Sequence, residues 1–209
     1  MSRKIMTPLL ALLAVAAFAV LPAMAAAATV TLHAGGVELP AGSPLVGESS
    51  NLVFKTAVGN LECSSNVISG ELTSNKKTTI AGSIETGSFT GLEGGGACHT
   101  TTPLGPALIT ASGLPWPLTF KSNGTSTVKG TSAIVFTAFF PGAGVTCVYK
   151  ATKLAATFAF NEAPMIDTVT GQVFKWVKAE SNPLCPTEGE LSGEFAVTSG
   201  GEAVEATTP

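Results

Sequence analysis

The sequence predicts an all-β protein: an antiparallel β-sandwich or barrel of many short strands, held by disulfides and exported behind a cleaved N-terminal signal peptide. Three observations support this prediction. Short apolar or alternating runs are separated by Gly, Pro and Asn, which favour turns. After the first 25 residues, no window shows the 3.6-residue apolar repeat of a helix packed on a core. Four cysteines in a chain expected to be exported indicate disulfide bonds.

The first 25 residues have the three parts of a signal peptide. Arg3 and Lys4 form a basic start, residues 9–21 are apolar, and residues 23–25 (AMA) match an A-x-A cleavage site. The apolar run is shorter than the roughly 20 residues that span a bilayer as a helix. We therefore expect cleavage within 25–28. The mature protein is expected to be secreted or associated with the cell envelope, without a transmembrane anchor.

The charge balance argues against two classes of partner. Arg3 is the only arginine in the chain, and it belongs to the predicted signal peptide. Of the 11 basic residues, nine lysines remain after cleavage against 14 acidic residues, which gives a net charge near −5. Nucleic-acid phosphates are held by basic patches and by the paired N–H groups of arginine. We therefore expect no nucleic acid as a partner and no binding to an anionic membrane surface.

The mature chain is predicted to enter a sheet almost at once. Residues 51–58 (NLVFKTAV) and 133–140 (AIVFTAFF) are the clearest strands, because β-branched and aromatic side chains pack well on a pleated surface. The Asn-Gly pair at 123–124 predicts a hairpin turn. Further strands are expected at 29–33, 37–39, 61–65, 67–72, 78–82, 83–90, 108–112, 114–118, 119–128, 144–150, 153–160, 165–170, 173–177 and 190–198.

These elements predict three regions: a signal peptide at 1–25, a β domain at 26–198 and a flexible tail at 199–209. The tail is predicted because its Gly, Glu and Ala residues show no periodicity. Two alternatives stay open for the β domain, namely one unit, or two similar β units at about 26–130 and 131–198. The second alternative arises because each half contains a Val-Phe strand, a glycine turn and two cysteines, in that order.

The four cysteines are predicted to form two disulfides. Cys63 and Cys147 lie in predicted strands, and Cys98 and Cys185 lie in predicted loops. Four cysteines allow three pairings. We favour Cys63–Cys98 and Cys147–Cys185, because each bond then joins a strand to a loop within one half. The chain has no C-x-x-C and no zinc-module spacing, so no metal site and no cofactor are expected.

Residues that carry catalytic chemistry are scarce. After residue 25 the chain has two histidines, His33 and His99, and one aspartate, Asp167, and it has no G-x-S-x-G nucleophile elbow. Glu188 and Glu190 share one face of a predicted strand, which is the pattern of a solvated face as well as of paired catalytic carboxylates. No catalytic residue is therefore assigned and a non-enzyme is predicted, with a hydrolase as the less favoured alternative.

Trp116 is the candidate for ligand contact. It lies between Pro115 and Pro117, which stiffen the segment, and an indole held in this way can stack on a sugar ring or a partner. The alternative is packing in the core, where most large aromatic side chains lie.

Two function hypotheses follow. The first is a non-enzymatic role through the protein surface, in the cell envelope or outside the cell, with a cell-wall glycan or another envelope protein as the partner. The second is a carbohydrate- or small-ligand-binding module that uses Trp116 and nearby loops.

The order of several segments carries a resemblance. After an opening strand come G-x-L-x-C at 59–63, Leu-Pro-Trp at 114–116, G-x-x-C-x-Y at 144–149 and Cys-Pro at 185–186, followed by a Gly-rich strand through Phe195. This pattern resembles a loose group of uncharacterised exported β-rich proteins from high-GC Gram-positive bacteria, for which no activity is known. The resemblance implies export and a β fold, and it brings no catalytic residues.

Overall fold

The computed structural model describes residues 28–75 and 77–208, and it contains no α-helix within these ranges. Short 3-10 turns occur at Gly94–Gly96 and Lys178–Glu180. The all-β prediction is confirmed, while the predicted signal peptide lies outside the described residues. The fifteen strands are β1 (Thr31–Ala34), β2 (Val37–Glu38), β3 (Pro44–Ser49), β4 (Leu52–Thr56), β5 (Gly59–Cys63), β6 (Ser65–Ser74), β7 (Thr79–Thr90), β8 (His99–Thr100), β9 (Leu108–Ser112), β10 (Trp116–Lys121), β11 (Thr125–Phe140), β12 (Val145–Thr157), β13 (Ile166–Trp176), β14 (Glu188–Ser199) and β15 (Glu202–Thr207).

Eight strand positions close into an antiparallel barrel. Around the barrel the order is β13, β12, β11, β10, β7, β6, β3 and β14, and pairing of β14 with β13 completes the circle. Closure leaves these strands without free edges, which is how up-and-down barrels avoid unpaired backbone groups. The sequence left sandwich and barrel open, and the fold is a barrel with additional strands around it.

Three of the eight positions are each filled by two strands placed end to end. β3 and β4 both pair with β14, at residues 196–198 and 189–192 respectively. β5 and β6 fill the next position, pairing with β4 and β3. β9 and β10 share the position between β7 and β11. Counted in this way, the chain runs up and down around the barrel in sequence order.

A small sheet of β1, β2 and β15 packs against one end of the barrel, which we call the covered end. β15 continues from β14 and pairs with all four residues of β1. The side chains of Val30, Leu32, Val204 and Ala206 are fully buried there, each with 0% exposure. The Asn75 side chain fixes β1 to the β6–β7 connection, because its amide accepts from the Leu32 N–H and donates to the Leu32 carbonyl.

The interpretation of residues 199–209 as a flexible tail is therefore wrong. Residues 202–207 form β15, in which the buried Val204 and Ala206 alternate with more exposed neighbours. The sequence pattern does not predict this strand because its apolar face has only these two side chains, one of them an alanine, among glutamates and threonines.

Both disulfides join strands to connections at the other end of the barrel, which we call the disulfide end. Cys63–Cys98 links β5 to the loop before β8, and Cys147–Cys185 links β12 to the loop before β14. This is the pairing that the sequence favoured.

The bonds do not delimit two units, because residue 130 lies inside β11 and β14 pairs with β3 and β4 from the other half. The described residues therefore form one closed barrel.

The barrel wall is interrupted between β12 and β13. Their ladder holds at both ends, but residues 151–155 have no backbone pairing with residues 170–174 opposite them. We call these two stretches the β12–β13 seam. The Gln172 side chain crosses it, accepting the Ala155 N–H at 2.9 Å and donating to the Thr170 carbonyl at 3.1 Å. A side chain thus supplies part of the bonding that the backbone lacks.

Candidate binding cavity

The interior of the barrel is not completely filled. A cavity of about 80 Å³, which we call the main chamber, is lined by side chains from all eight strand positions. The contribution of every position places the chamber inside the barrel. A barrel of eight strands has an interior that side chains can fill or that can hold one small ligand.

The walls of the main chamber are apolar because of strand alternation. Along β10, Trp116, Leu118 and Phe120 are buried while Pro117 and Lys121 are exposed, as expected when successive side chains point to opposite faces. The same alternation on the other strands brings mainly Leu, Ile, Val and Phe to the chamber. Four lining residues have polar side chains, namely Ser69, Ser83, Ser126 and Asp167.

Ser126 and Asp167 form the polar centre of the main chamber. The Ser126 hydroxyl lies 2.7 Å from both carboxylate oxygens of Asp167, and Ser126 itself is 1% exposed. Burial raises the pKa of Asp167 to about 6, and the hydrogen bond from Ser126 opposes this rise only in part. A carboxylate with a single donor, surrounded by apolar side chains, keeps unused acceptor capacity.

A second, smaller chamber of about 50 Å³ lies beside the main one and shares four of its lining residues, Leu52, Phe89, Phe136 and Leu191. Its wall includes the Cys63 side chain and Tyr149. Burial raises the pKa of Tyr149 to about 12, so its hydroxyl stays protonated. The second chamber is therefore uncharged as well as apolar.

Aromatic rings line the two adjoining chambers. The Phe136 ring meets Trp116, Phe89 and Phe174 edge-on, with ring centroids 5.6, 5.2 and 5.3 Å apart. Phe54 continues the cluster towards Tyr149, at 4.9 Å. Edge-to-face contacts of this kind stabilise a pair by about 0.5–1.5 kcal/mol beyond burial. The walls are therefore held in place by ring packing.

Trp116 does not lie at the protein surface, where stacking on a sugar or a partner outside the barrel would require it. Its side chain is 2% exposed and forms part of the chamber wall, so its face is not presented to a sugar or partner outside the protein. The two prolines stiffen a strand of the barrel instead of a loop. Contact between Trp116 and a ligand stays a prediction, but such a ligand has to lie inside the barrel.

The other chemical candidates are not brought together. His33 contacts Thr207, and His99 pairs with Glu93 at the surface. Asp167 has Ser126 as its partner, so the triad of the hydrolase alternative is not assembled. Glu188 forms a surface ion pair with Lys175, and Glu190 lies opposite Lys55 on the neighbouring strand. These glutamates occupy a solvated face.

Sequence reasoning did not find the pairing of Ser126 with Asp167. The available signal was a polar side chain two residues before a valine on an otherwise apolar strand face, in Ser126-Thr127-Val128 and Asp167-Thr168-Val169. The two residues are 41 positions apart and reach each other across β12, so only the strand order of the barrel shows that they meet.

No protein family, no curated protein and no solved structure matches the chain. Within residues 28–75 and 77–208, no three His, Cys, Asp or Glu side chains are grouped closely enough to hold a metal ion. In the same ranges no helix has the length and apolar character needed to cross a membrane.

Proposed function

We propose that this is an exported, non-enzymatic binding protein that holds a small, largely apolar molecule inside its barrel. The main chamber carries the proposal: an unfilled space enclosed by an apolar wall, with one carboxylate and one hydroxyl in contact with each other. Ligand sites typically combine such a wall with a few polar groups that fix orientation. Export is the expectation from the N-terminal sequence and the resemblance, and the two disulfides support it.

The energetic cost of the empty space supports a bound molecule. Protein interiors are packed as densely as organic crystals. At roughly 24 cal/mol per Å³, a void of about 80 Å³ lowers stability by about 2 kcal/mol. A ligand that fills the chamber recovers this loss.

The size and polarity of the chambers define the ligand. An apolar cavity of about 150 Å³ accepts benzene. The two adjoining chambers, of about 80 and about 50 Å³, together provide slightly less, so the ligand is at most about one ring in size. A sugar carries more hydroxyl groups than the polar wall residues can satisfy. The proposal therefore keeps the small-ligand part of the Trp116 hypothesis and drops its carbohydrate part.

Filling the chamber by mutation tests the proposal. Ala156 lines the main chamber and is 9% exposed, so Ala156→Leu places new methyl groups in the space where the ligand should lie. Toluene and benzyl alcohol serve as probes, and fluorescence of Trp116 is the readout in a Trp176→Phe background. We expect saturable binding that Ala156→Leu abolishes. Ala159→Leu, at an exposed position, is the matched control and should retain binding.

Three outcomes decide the matter. Saturable binding that is lost only in Ala156→Leu supports an interior site. Binding that survives filling of the chamber places the site elsewhere and contradicts the proposal, as does the failure of every probe to bind the unmodified barrel. If Ala156→Leu does not fold, Ala156→Val fills less space and should weaken binding in the same direction.

A further inference from the structure

The polar centre of the main chamber can carry only negative charge. Among the residues that line it, Asp167 is the only ionisable one, and every other lining side chain is uncharged. The ion pairs formed within the described ranges join other residues, so Asp167 has no cationic partner among residues 28–75 and 77–208. Its contact is the Ser126 hydroxyl, which donates one hydrogen.

Such a carboxylate is incompletely satisfied. An ionised carboxylate accepts about four hydrogen bonds, and one hydroxyl provides one. The Asp167 residue keeps partial contact with solvent, but a charge largely withdrawn from water without a partner is still costly, and proteins normally pair it or coordinate it. Burial accordingly raises the pKa of Asp167 to about 6, so near neutral pH most of the carboxylate is ionised while still short of donors.

We infer that the ligand is a small apolar amine whose ammonium group binds the Asp167 carboxylate beside Ser126. This inference rests on the proposed function and adds the chemical class of the ligand. An ammonium group has hydrogens to donate to both carboxylate oxygens, and the Ser126 oxygen has a free lone pair to accept another. The amine thus provides the positive charge that the lining lacks.

The remaining wall selects the body of the molecule. Leu118, Val128, Leu154 and Val169 line the same chamber, so the body of the molecule beyond the ammonium group meets mainly apolar surface. A neutral alcohol of the same shape fills the space but leaves the charge unpaired. An anion of the same shape meets Asp167 as a like charge and is rejected. The chamber therefore favours amine over alcohol, and alcohol over carboxylate.

Three ligands of nearly the same shape test this order: benzylamine, benzyl alcohol and benzoate. Each is titrated into the unmodified chain near neutral pH, with heat of binding and tryptophan fluorescence as readouts. We expect benzylamine to bind about 10- to 100-fold more tightly than benzyl alcohol, the range of a charge-assisted hydrogen bond, and benzoate to bind least. Asp167→Asn should remove this preference while binding of benzyl alcohol persists.

The outcomes separate the inference from the proposed function. Equal binding of benzylamine and benzyl alcohol to the unmodified chain overturns the amine inference and leaves an apolar interior site intact. Failure of all three to bind overturns both. An amine preference that survives Asp167→Asn means that another group holds the ammonium, and this also overturns the inference. If Asp167→Asn does not fold, the order of the three ligands on the unmodified chain decides.

Discussion

At the scale of single residues, Asp167 is the acidic side chain whose pKa is shifted most among the described residues. Ser126 on β11 contacts it, Phe195 on β14 lies opposite it, and Ala156 on β12 lines the same chamber. None of these three side chains titrates. The pKa of its carboxyl is about 6 in the folded protein against an ordinary value of 3.8. In the folded chain, therefore, Asp167 holds its proton at pH values at which the unfolded chain has released it.

The first prediction is a loss of stability between about pH 4 and about pH 6 that originates at Asp167. Because the folded state binds the extra proton in this window, its stability falls as pH rises and is constant above the folded pKa. A rise of this size corresponds to about 2–3 kcal/mol. Asp167→Asn should therefore be more stable than the parent near pH 7 by up to that amount, measured by urea unfolding.

Near pH 3 the same substitution should make little difference, since the carboxyl is then mostly protonated in both states. Glu62→Gln, at an exposed position, is the control and should show no such dependence. A stability difference between Asp167→Asn and the parent that is the same at both pH values would contradict the assignment.

Gly189 gives a second prediction at this scale. A Cβ atom added there would overlap the ring of Phe54, which packs edge-on against Tyr149 and Phe174. Gly189→Ala should therefore displace this ring and destabilise the barrel by about 1–3 kcal/mol, the usual cost of overpacking. Gly94→Ala, where nothing lies within 4 Å of the added atom, is the matched control and should be close to neutral.

A double-mutant cycle shows whether the Phe54 ring is the cause. In Phe54→Leu the obstructing ring is absent, so Gly189→Ala should cost less in this background than in the parent. Equal costs in the two backgrounds, from thermal or urea unfolding, would show that the Cβ atom disturbs something other than Phe54.

At the scale of elements, the β12–β13 seam is a stretch of barrel wall without backbone pairing. The Gln172 side chain bridges it with one hydrogen bond from the Ala155 N–H, and its amide group is held by a second to the Thr170 carbonyl on its own strand. We predict that Gln172→Ala accelerates hydrogen exchange at the Ala155 amide by about 2- to 10-fold, because a part-buried hydrogen bond contributes about 0.5–1.5 kcal/mol.

The amide of Thr127, in the continuous β10–β11 ladder, is the internal control and should keep its protection. If the Ala155 amide exchanges at the same rate in both proteins, the Gln172 side chain does not hold the seam closed.

Local sequence signals were reliable where the chain turns and less so where it runs straight. The Asn123-Gly124 pair predicted a hairpin, and it connects β10 to β11, with Gly124 at a φ of +74°. Gly82 and Gly171 were read as breaks between short strands, yet β7 and β13 continue through them. Glycine in a strand interior marks a bulge or a close approach, and a single sequence does not distinguish these from a turn.

At the scale of the whole molecule, the sequence predicts the β fold class but not the cavity inside the barrel. Cysteines, turn residues and strand patterns give an exported β fold, because these signals are local. The main chamber depends on the order of strands, which brings Ser126 on β11 and Asp167 on β13 to one point across β12. Pairing between distant strands is set by long-range packing, so the site appears only with the tertiary structure.

The covered end supplies the last prediction. β15 is the principal partner of β1, and together they bury Val30, Leu32, Val204 and Ala206 completely. Ending the chain at residue 200 removes β15 and exposes apolar side chains at the end of the barrel. β1 then keeps the two-residue pairing to β2 and the bonds to the Asn75 side chain. Exposure of a large buried apolar side chain costs about 1.5–3 kcal/mol. For two such side chains we expect the free energy of unfolding, measured with urea, to fall by about 3–6 kcal/mol.

That loss is a large share of the stability of an ordinary domain. Removal of residues 208–209 alone is the matched control, because it leaves β15 whole, and it should not change the unfolding midpoint. The shortened chain should also bind a hydrophobic dye that the parent does not bind, since its barrel end is uncovered. An unchanged midpoint after removal of residues 201–209 would mean that the β1–β2–β15 sheet is an appendage, with the barrel stable on its own.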